Sequence, residues 1–245
     1  MTIKKLRTIR RFIKEYREEK KLRHSFGKKS AELAGERFTC DWGDRRLCLS
    51  DATTSTGFDS HYLYHTAWAA RCLAQSSPDR HVDIGSCLRF VTLVSAFIPV
   101  EFYDYRPAEI SLSTFHSNHA DITALPFGSD SIMSLSCMHV VEHIGLERYG
   151  DPFDPQGDLK AMAELSRVLA PGGNLFFVVP VGGIARIQYN AHRIYRYSDI
   201  VCNFPELSLQ SFALITDTGL FYEHTSEQQA NEQKYGCGCF WFSKM

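Results

Sequence analysis

The chain has 245 residues, 44% of them hydrophobic and 22% charged, with a formal net charge of −1. That length suits one α/β domain carrying an N-terminal extension. No run approaches the roughly 18 consecutive apolar residues of a membrane-spanning helix, and the N-terminus lacks the apolar heart of a signal peptide, so a cytoplasmic location is expected.

The small net charge conceals a division. Residues 1–30 hold twelve Lys and Arg against three Glu, a net +9, which leaves −10 on the rest of the chain. Ile3, Leu6, Ile9, Ile13 and Tyr16 recur at helical spacing, which predicts a basic amphipathic helix within an arm spanning residues 1–36. Such a helix suits the anionic inner face of a membrane, a protein partner, or the acidic remainder of its own chain. Nucleic acid is not an expected partner. The remaining residues, 37–245, read as one α/β domain.

The segment Thr39–Thr56 is polar, with one short strand expected near Leu47. A helix is predicted from Phe58 to about Ala74, with Asp59 or Ser60 as its N-cap. Further helices are predicted near Cys87–Phe97, Gly157–Leu169 and Ser198–Phe204. Short apolar runs predict strands near His81, Val100, Ala120, Ser131, Leu175, Leu209 and Gly238, with Pro171-Gly172-Gly173 as a turn before the strand at Leu175. Strands alternating with helices imply βαβ units on a parallel sheet. The eight cysteines lie mostly in apolar runs without a CxxC pair, so buried reduced thiols are expected. Cys237 and Cys239 would share one face of a strand, which is a packing pattern more than a metal pattern.

Several residues could carry chemistry. Asp83-Ile84-Gly85-Ser86 ends a strand and turns into a helix, at the sheet edge where ligands of open α/β sheets sit. His139, Glu142 and His143 fall at i, i+3 and i+4, so a helical chain would put them on one face. Histidine best suits a general base near neutral pH, with His143 the first choice, His139 the second and His192 a further candidate. His139-Val140-Val141-Glu142-His143 also matches the zinc-peptidase pattern HxxEH, but no distal ligand is identifiable and no metal is expected. Asn190 and Arg193 would suit a polar or anionic substrate. His61, Tyr64 and His65 would present hydrogen-bonding rings from the helix ahead of the first strand, unless they are simply its packed face.

The stretch from Ala120 to Val181, with its Asp121-Ile122, Leu125-Pro126-Phe127, the run Ile132–Met138 that includes Cys137, and Pro171-Gly172-Gly173, resembles class I S-adenosylmethionine-dependent methyltransferases. That resemblance implies a Rossmann-like fold: a mostly parallel seven-stranded sheet with helices on both faces and an antiparallel last strand. It implies S-adenosylmethionine as cofactor, held by Asp83, Gly85, Ser86, Asp104, Asp121, Ile122 and Cys137. Asp83 would lie near the amino end, Asp104 at the ribose hydroxyls, and Asp121 and Ile122 at the adenine. Where the family usually has further glycines, this chain has Cys87 and Arg89. A member that keeps the fold only to bind a partner is therefore the alternative.

From Thr56 onward the chain also resembles an uncharacterised bacterial-type family, the domain of unknown function 268. This rests on His61-Tyr62-Leu63-Tyr64-His65-Thr66-Ala67-Trp68, Met138–Gly145, Arg148-Tyr149-Gly150-Asp151-Pro152 and Asn190-Ala191-His192-Arg193. The family's association with surface-polysaccharide loci implies a small or glycan-linked polar acceptor, bound by His61, Tyr64, His65, Glu142, Asn190 and Arg193 and methylated on oxygen or nitrogen.

Overall fold

The computed structural model describes residues 3–49 and 51–245, with backbone alone for residues 3–11. Contacts divide the chain into a unit ending at Gly57 and a larger one, Phe58–Met245.

In the first unit α1 runs over Ile3–Leu33. Ile13 and Tyr16, on the predicted apolar stripe, are exposed; the side chains of Ile3, Leu6 and Ile9 lie outside the described residues. The Trp42 ring packs 5.2 Å from that of Phe26 and lies under the guanidinium groups of Arg23 and Arg45. Residues Arg45–Leu49 are irregular rather than a strand near Leu47. An isolated strand has no neighbour to satisfy its backbone. Among the described residues no helix is long and apolar enough to cross a membrane.

The second unit begins with α2, Ser60–Ser76, whose N-cap Asp59 accepts a hydrogen bond from the Tyr62 amide at 3.1 Å. There follow β1 (His81–Ile84), α3 (Leu88–Val94), β2 (Val100–Asp104), β3 (Phe115–His119) and β4 (Ile132–Met138). Then come α4 (Gly157–Val168), β5 (Leu169–Val181), the hairpin β6 (Arg186–Gln188) and β7 (His192–Ile194), and α5 (Tyr197–Asn203). The chain closes with β8 (Leu207–Ile215), β9 (Phe221–Tyr222), α6 (Glu227–Asn231) and β10 (Gly236–Lys244).

The main sheet has eight strands in the order β3-β2-β1-β4-β5-β10-β8-β9. The pairs from β3 to β5 are parallel, while β10 runs antiparallel to both β5 and β8. The eighth strand, β9, is only two residues and adds an antiparallel edge to the expected seven. The predicted Pro171-Gly172-Gly173 turn is instead an irregularity inside β5, with Gly172 at φ +76°.

Period-two alternation divides the core between the two sheet faces. Leu175, Phe177 and Val179 of β5 pack with Ala161 and Leu165 of α4 and Ile200 of α5. Phe176 and Val178, between them in sequence, pack on the other face with Trp68 and Leu73 of α2 and Phe90 of α3. Each such buried side chain stabilises the fold by about 1.5–3 kcal/mol before entropy is counted. Cys237 and Cys239 lie in the second layer, on one strand face.

Candidate active site

The strand order reverses between β1 and β4, and an open α/β sheet offers a crevice at the carboxyl ends of its strands at such a point. A cavity of about 470 Å³ lies there, lined by Gly85, Asp104, Asp121, Val140 and His143 among others. Backbone dictates its floor. Gly85 sits at φ +68°, and a Cβ there would stand 3.2 Å from Val140 Cγ2 and 3.5 Å from Asp104 Oδ2. Glycine keeps that space open and adopts the left-handed backbone without penalty.

The turn after β1 is anchored from beneath by a buried polar chain. Asp83 accepts from the Ser86 amide at 2.9 Å and from the Ser136 hydroxyl. Ser136 Oγ lies 2.8 Å from His81 Nε2, and His81 Nδ1 lies 2.8 Å from Ser134 Oγ. Since Ser136 donates to Asp83, it accepts from His81 Nε2–H, which leaves Nδ1 to accept from Ser134. Burial holds His81 down to about 3 and pushes Asp83 up to about 6 against its serine hydrogen bonds. The Ser86 hydroxyl in turn accepts from the Met138 amide at 3.0 Å, tying the turn to the end of β4.

Five of the seven expected cofactor contacts line the cavity: Gly85, Ser86, Asp104, Asp121 and Ile122. Asp104 Oδ1 accepts from the Arg106 amide at 2.7 Å, which leaves Oδ2 toward Gly85. Asp121 Oδ1 closes a local turn with the amide and hydroxyl of Thr123. The other two do not reach the cavity. Asp83 is fully buried under the turn, and Cys137 points into the core against α4, where burial pushes its thiol up. Arg89 is exposed and lines a separate apolar groove of about 1130 Å³ between α2 and α3, so it does not fill the cavity at Gly85.

After β4, His139 takes φ +56° and the chain forms a single 3-10 turn, Val141–His143, in place of the expected α-helix. The turn still gathers the predicted trio. His139 Nδ1 lies 2.8 Å from Glu142 Oε1, and His143 Nε2 lies 3.8 Å from the same oxygen. Glu142 is 1% exposed and its Oε2 has no partner, so its charge is satisfied on one side only. Burial opposes a charge on His139, but Cys237 and Glu142 outweigh it and raise the imidazole above its ordinary value. His143 is lowered, chiefly by burial. Its Nδ1 lies 2.8 Å from the Ala191 carbonyl, which can only accept, and 3.1 Å from Arg148 Nη1, which can only donate; the shorter contact puts the proton on Nδ1 and the lone pair on Nε2. Arg148 donates to the same carbonyl at 2.8 Å.

The loop between that turn and α4 closes one side of the cavity. Gly145 fixes it: the amide donates to Asp151 Oδ2 at 2.7 Å, and a Cβ would lie 1.9 Å from the Asp154 carbonyl oxygen. Tyr149 lines the cavity, with Arg106 and Arg148 within 5.0 Å of its ring and His143 edge-on at 5.3 Å.

Other predicted substrate contacts are placed differently. Arg193 is 7% exposed and donates to the carbonyls of Ile144 and Pro155, beside Asp158 at 3.4 Å. Its fork is consumed internally. Asn190 is exposed at the tip of the β6–β7 hairpin. Tyr64 stacks on Phe221 at 5.1 Å as part of the packed face of α2. His65 is fully buried, with Nδ1 2.7 Å from the His61 carbonyl, Nε2 unpartnered, and burial holding it down to about 3. His192, lowered mainly by burial, stacks on Tyr235 at 5.2 Å and lies 6.0 Å from His143, with Nε2 unpartnered. His61 stacks 6.4 Å from His139.

Tyr62, Tyr103 and Tyr105 also line the cavity and are contacts that sequence reasoning missed. Each neighbours a residue chosen instead, His61 or Asp104, and carried little signal of its own.

Residues 93–213 match the model of a family described as "Caenorhabditis protein of unknown function, DUF268", a description that names nematodes and not bacteria. No curated protein sequence matches the chain. Among solved structures, the chain is similar to one from Haloferax volcanii, a complex between the Trm112 methyltransferase activator and a methyltransferase. The TM-score is 0.53 at 15% identity, over 76% of this chain and 90% of that one. It is similar also to the N-methyltransferase NodS from Bradyrhizobium japonicum in complex with S-adenosyl-L-homocysteine, with TM-score 0.51 at 15% identity over 76% and 87%. The [4+2]-cyclase SpnF is similar too, with TM-score 0.52 at 10% identity over 73% and 81%. At these identities the likeness is one of fold, and that fold serves more than one chemistry.

Proposed function

Starting from a chain whose central residues match the DUF268 family and whose sheet is that of the class I methyltransferases, we propose that it transfers a methyl group from S-adenosylmethionine to a small or glycan-linked polar acceptor. The observation that carries this reading is the glycine-floored cavity with Asp104 Oδ2 at its edge. The residues present fit the cofactor: Asp104 offers a free carboxylate oxygen for the ribose hydroxyls, Ile122 an apolar surface beside Asp121 for the adenine, and Gly85 and Ser86 a backbone turn. Tyr62 and Tyr149 add aromatic faces suited to a sulfonium. When bound, S-adenosylmethionine supplies an electrophilic methyl group.

His143 takes the acceptor's proton in this reading. Its Nδ1–H is held by the Ala191 carbonyl, its Nε2 carries the lone pair, and it lines the cavity. His139, bound to Glu142 and raised, is the poorer base; His192 is one ring further out. The remaining contribution is positional, since holding an acceptor in line with the methyl can itself supply much of the rate. Neither Glu142 nor His61 lines the cavity, and polysaccharide chemistry rests on the family resemblance alone. Of the two residues behind the non-catalytic alternative, Arg89 lies outside the cavity while Cys87 lines it. The basic arm remains the surface for an anionic membrane or a protein partner.

Calorimetric titration with S-adenosylmethionine and S-adenosyl-L-homocysteine tests the reading. Micromolar binding, lost in Asp104→Ala, is expected. Absence of binding to either ligand by the folded protein would overturn it.

A further inference from the structure

Beside the proposed acceptor pocket, three side chains from distant parts of the chain converge: His61 at the start of α2, His139 at the end of β4 and Cys237 at the start of β10. One donor atom of each lies within 4.8 Å of the other two, and His139 Nε2 is 3.3 Å from Cys237 Sγ. A tetrahedral ion with bonds of about 2.0–2.3 Å needs donors about 3.3–3.8 Å apart, a spacing the His139–Cys237 pair already has and the His61 ring reaches by a small side-chain shift. A carboxylate that orients one of the rings is also in place. A carboxylate only accepts, so His139 donates Nδ1–H to Glu142 at 2.8 Å, and Nε2 is directed at the sulfur. A carboxylate–histidine pair of this kind fixes the ring of a metal ligand.

An independent observation points the same way. His65, fully buried with its ring 4.9 Å from that of His139, has an Nε2 with no partner. Burying an unpaired imidazole nitrogen costs about 1–3 kcal/mol, and a polar neighbour at that site would offset it. Entry is available from the side of His61, which is only partly buried, whereas Cys237 is sealed at the back.

We propose that His61, His139 and Cys237 form a zinc site with three protein ligands and a fourth position left for a small molecule. A donor set of two imidazoles and one thiolate suits zinc over calcium or magnesium, and three protein ligands with one open position is the pattern of zinc sites that act on a bound molecule. It is distinct from the HxxEH arrangement, because His143 Nδ1 is committed to the Ala191 carbonyl and His143 is not among the converging donors. Coordination displaces the proton on Cys237 sulfur and the proton held on His139 Nε2, and both pass to solvent. The site stands on this geometry and does not depend on the methyl-transfer reading.

The test uses the full chain, stripped with a chelator and titrated with Zn²⁺ and with Co²⁺. One equivalent of either ion is expected, with a sulfur-to-cobalt charge-transfer band, proton release, and an affinity that rises with pH. Cys237→Ser should abolish the band, His61→Ala should weaken zinc binding at least 10-fold, and Glu142→Gln should weaken it about 10–100-fold. Far-UV circular dichroism of each variant separates loss of metal from loss of fold, and Glu142→Gln, which preserves shape, covers the case in which a ligand variant unfolds. Absence of stoichiometric binding by the wild type would reduce the cluster to a thiol–imidazole hydrogen bond and overturn the proposal. Binding that is unchanged in Cys237→Ser and His61→Ala would do the same.

Discussion

Arg193 and Asp158 form a buried ion pair, with guanidinium Nε 3.4 Å from carboxylate Oδ2, both side chains 8% exposed. Tyr195 donates to the same carboxylate oxygen at 2.9 Å, and the Arg193 nitrogens hold the carbonyls of Ile144 and Pro155. The pair therefore joins β7 of the hairpin to both ends of the loop that walls the cavity. Arg193→Ala should cost about 3–5 kcal/mol by stranding a buried carboxylate. Arg193→Lys should recover little, since one ammonium cannot span those acceptors. Denaturant melts decide this; a loss under about 1 kcal/mol in both variants would show that the clamp is not structural.

Asp104→Ala should weaken binding of S-adenosyl-L-homocysteine roughly 10- to 100-fold, the worth of a hydrogen bond to a charged group. The melting temperature should change little. An unchanged dissociation constant would move the ligand away from the carboxyl end of β2.

His143→Ala should slow methyl transfer about 10²–10⁴-fold while leaving cofactor affinity nearly unchanged. Because burial lowers this imidazole from its ordinary 6.5, the wild-type rate should hold through neutrality and fall only on the acid side of that value. Equal losses of rate and binding in the variant would contradict its role as base.

Gly145→Ala combines a left-handed backbone with a Cβ driven to 1.9 Å from a fixed carbonyl oxygen. A loss of about 2 kcal/mol or more is expected, lowering the melting temperature by roughly 4–8 °C and raising proteolysis across residues 145–156. Normal stability would mean the loop is not pinned there.

Acid should destabilise the fold early. His65 and His81, held down to about 3, contribute stability that is complete above 6.5 and lost as pH falls toward 3. Asp83, pushed up to about 6, acts oppositely: its contribution is present below 3.8 and lost as pH rises through 6. Two histidines against one carboxyl leave about one proton taken up on unfolding between pH 6 and 4, or at least about 1.4 kcal/mol lost per pH unit. Urea melts at pH 7, 5.5 and 4.5 measure it. A flat profile would mean the histidines are not neutral inside.

Much of the fold was legible because its strands are short apolar runs punctuated by glycine and proline. His81–Ile84, Val100–Asp104 and Ile132–Met138 were expected in place, and Asp59 capped α2 as its residue type requires. Periodicity could not show where a polar side chain spends its hydrogen bonds. Arg193 looked like an anion receptor because it has five donors, and only the packed chain reveals that carbonyls already occupy them. Cys137 failed for the same reason: alternation within β4 turns it toward α4. His139 and Cys237 are 98 residues apart, a proximity set by strand order and invisible to spacing.

The strand order leaves β3 at one margin of the sheet, five residues long and carrying His116, Asn118 and His119 exposed. An edge that is short and polar gives a foreign strand little to bury and few amides to pair. At the opposite margin the two-residue β9 pairs only Leu214 and Ile215, so the rest of the nine-residue β8 forms the edge there. The β3 margin of an otherwise very apolar sheet is thus a poor template for a foreign strand, whereas the longer β8 is where such pairing would start.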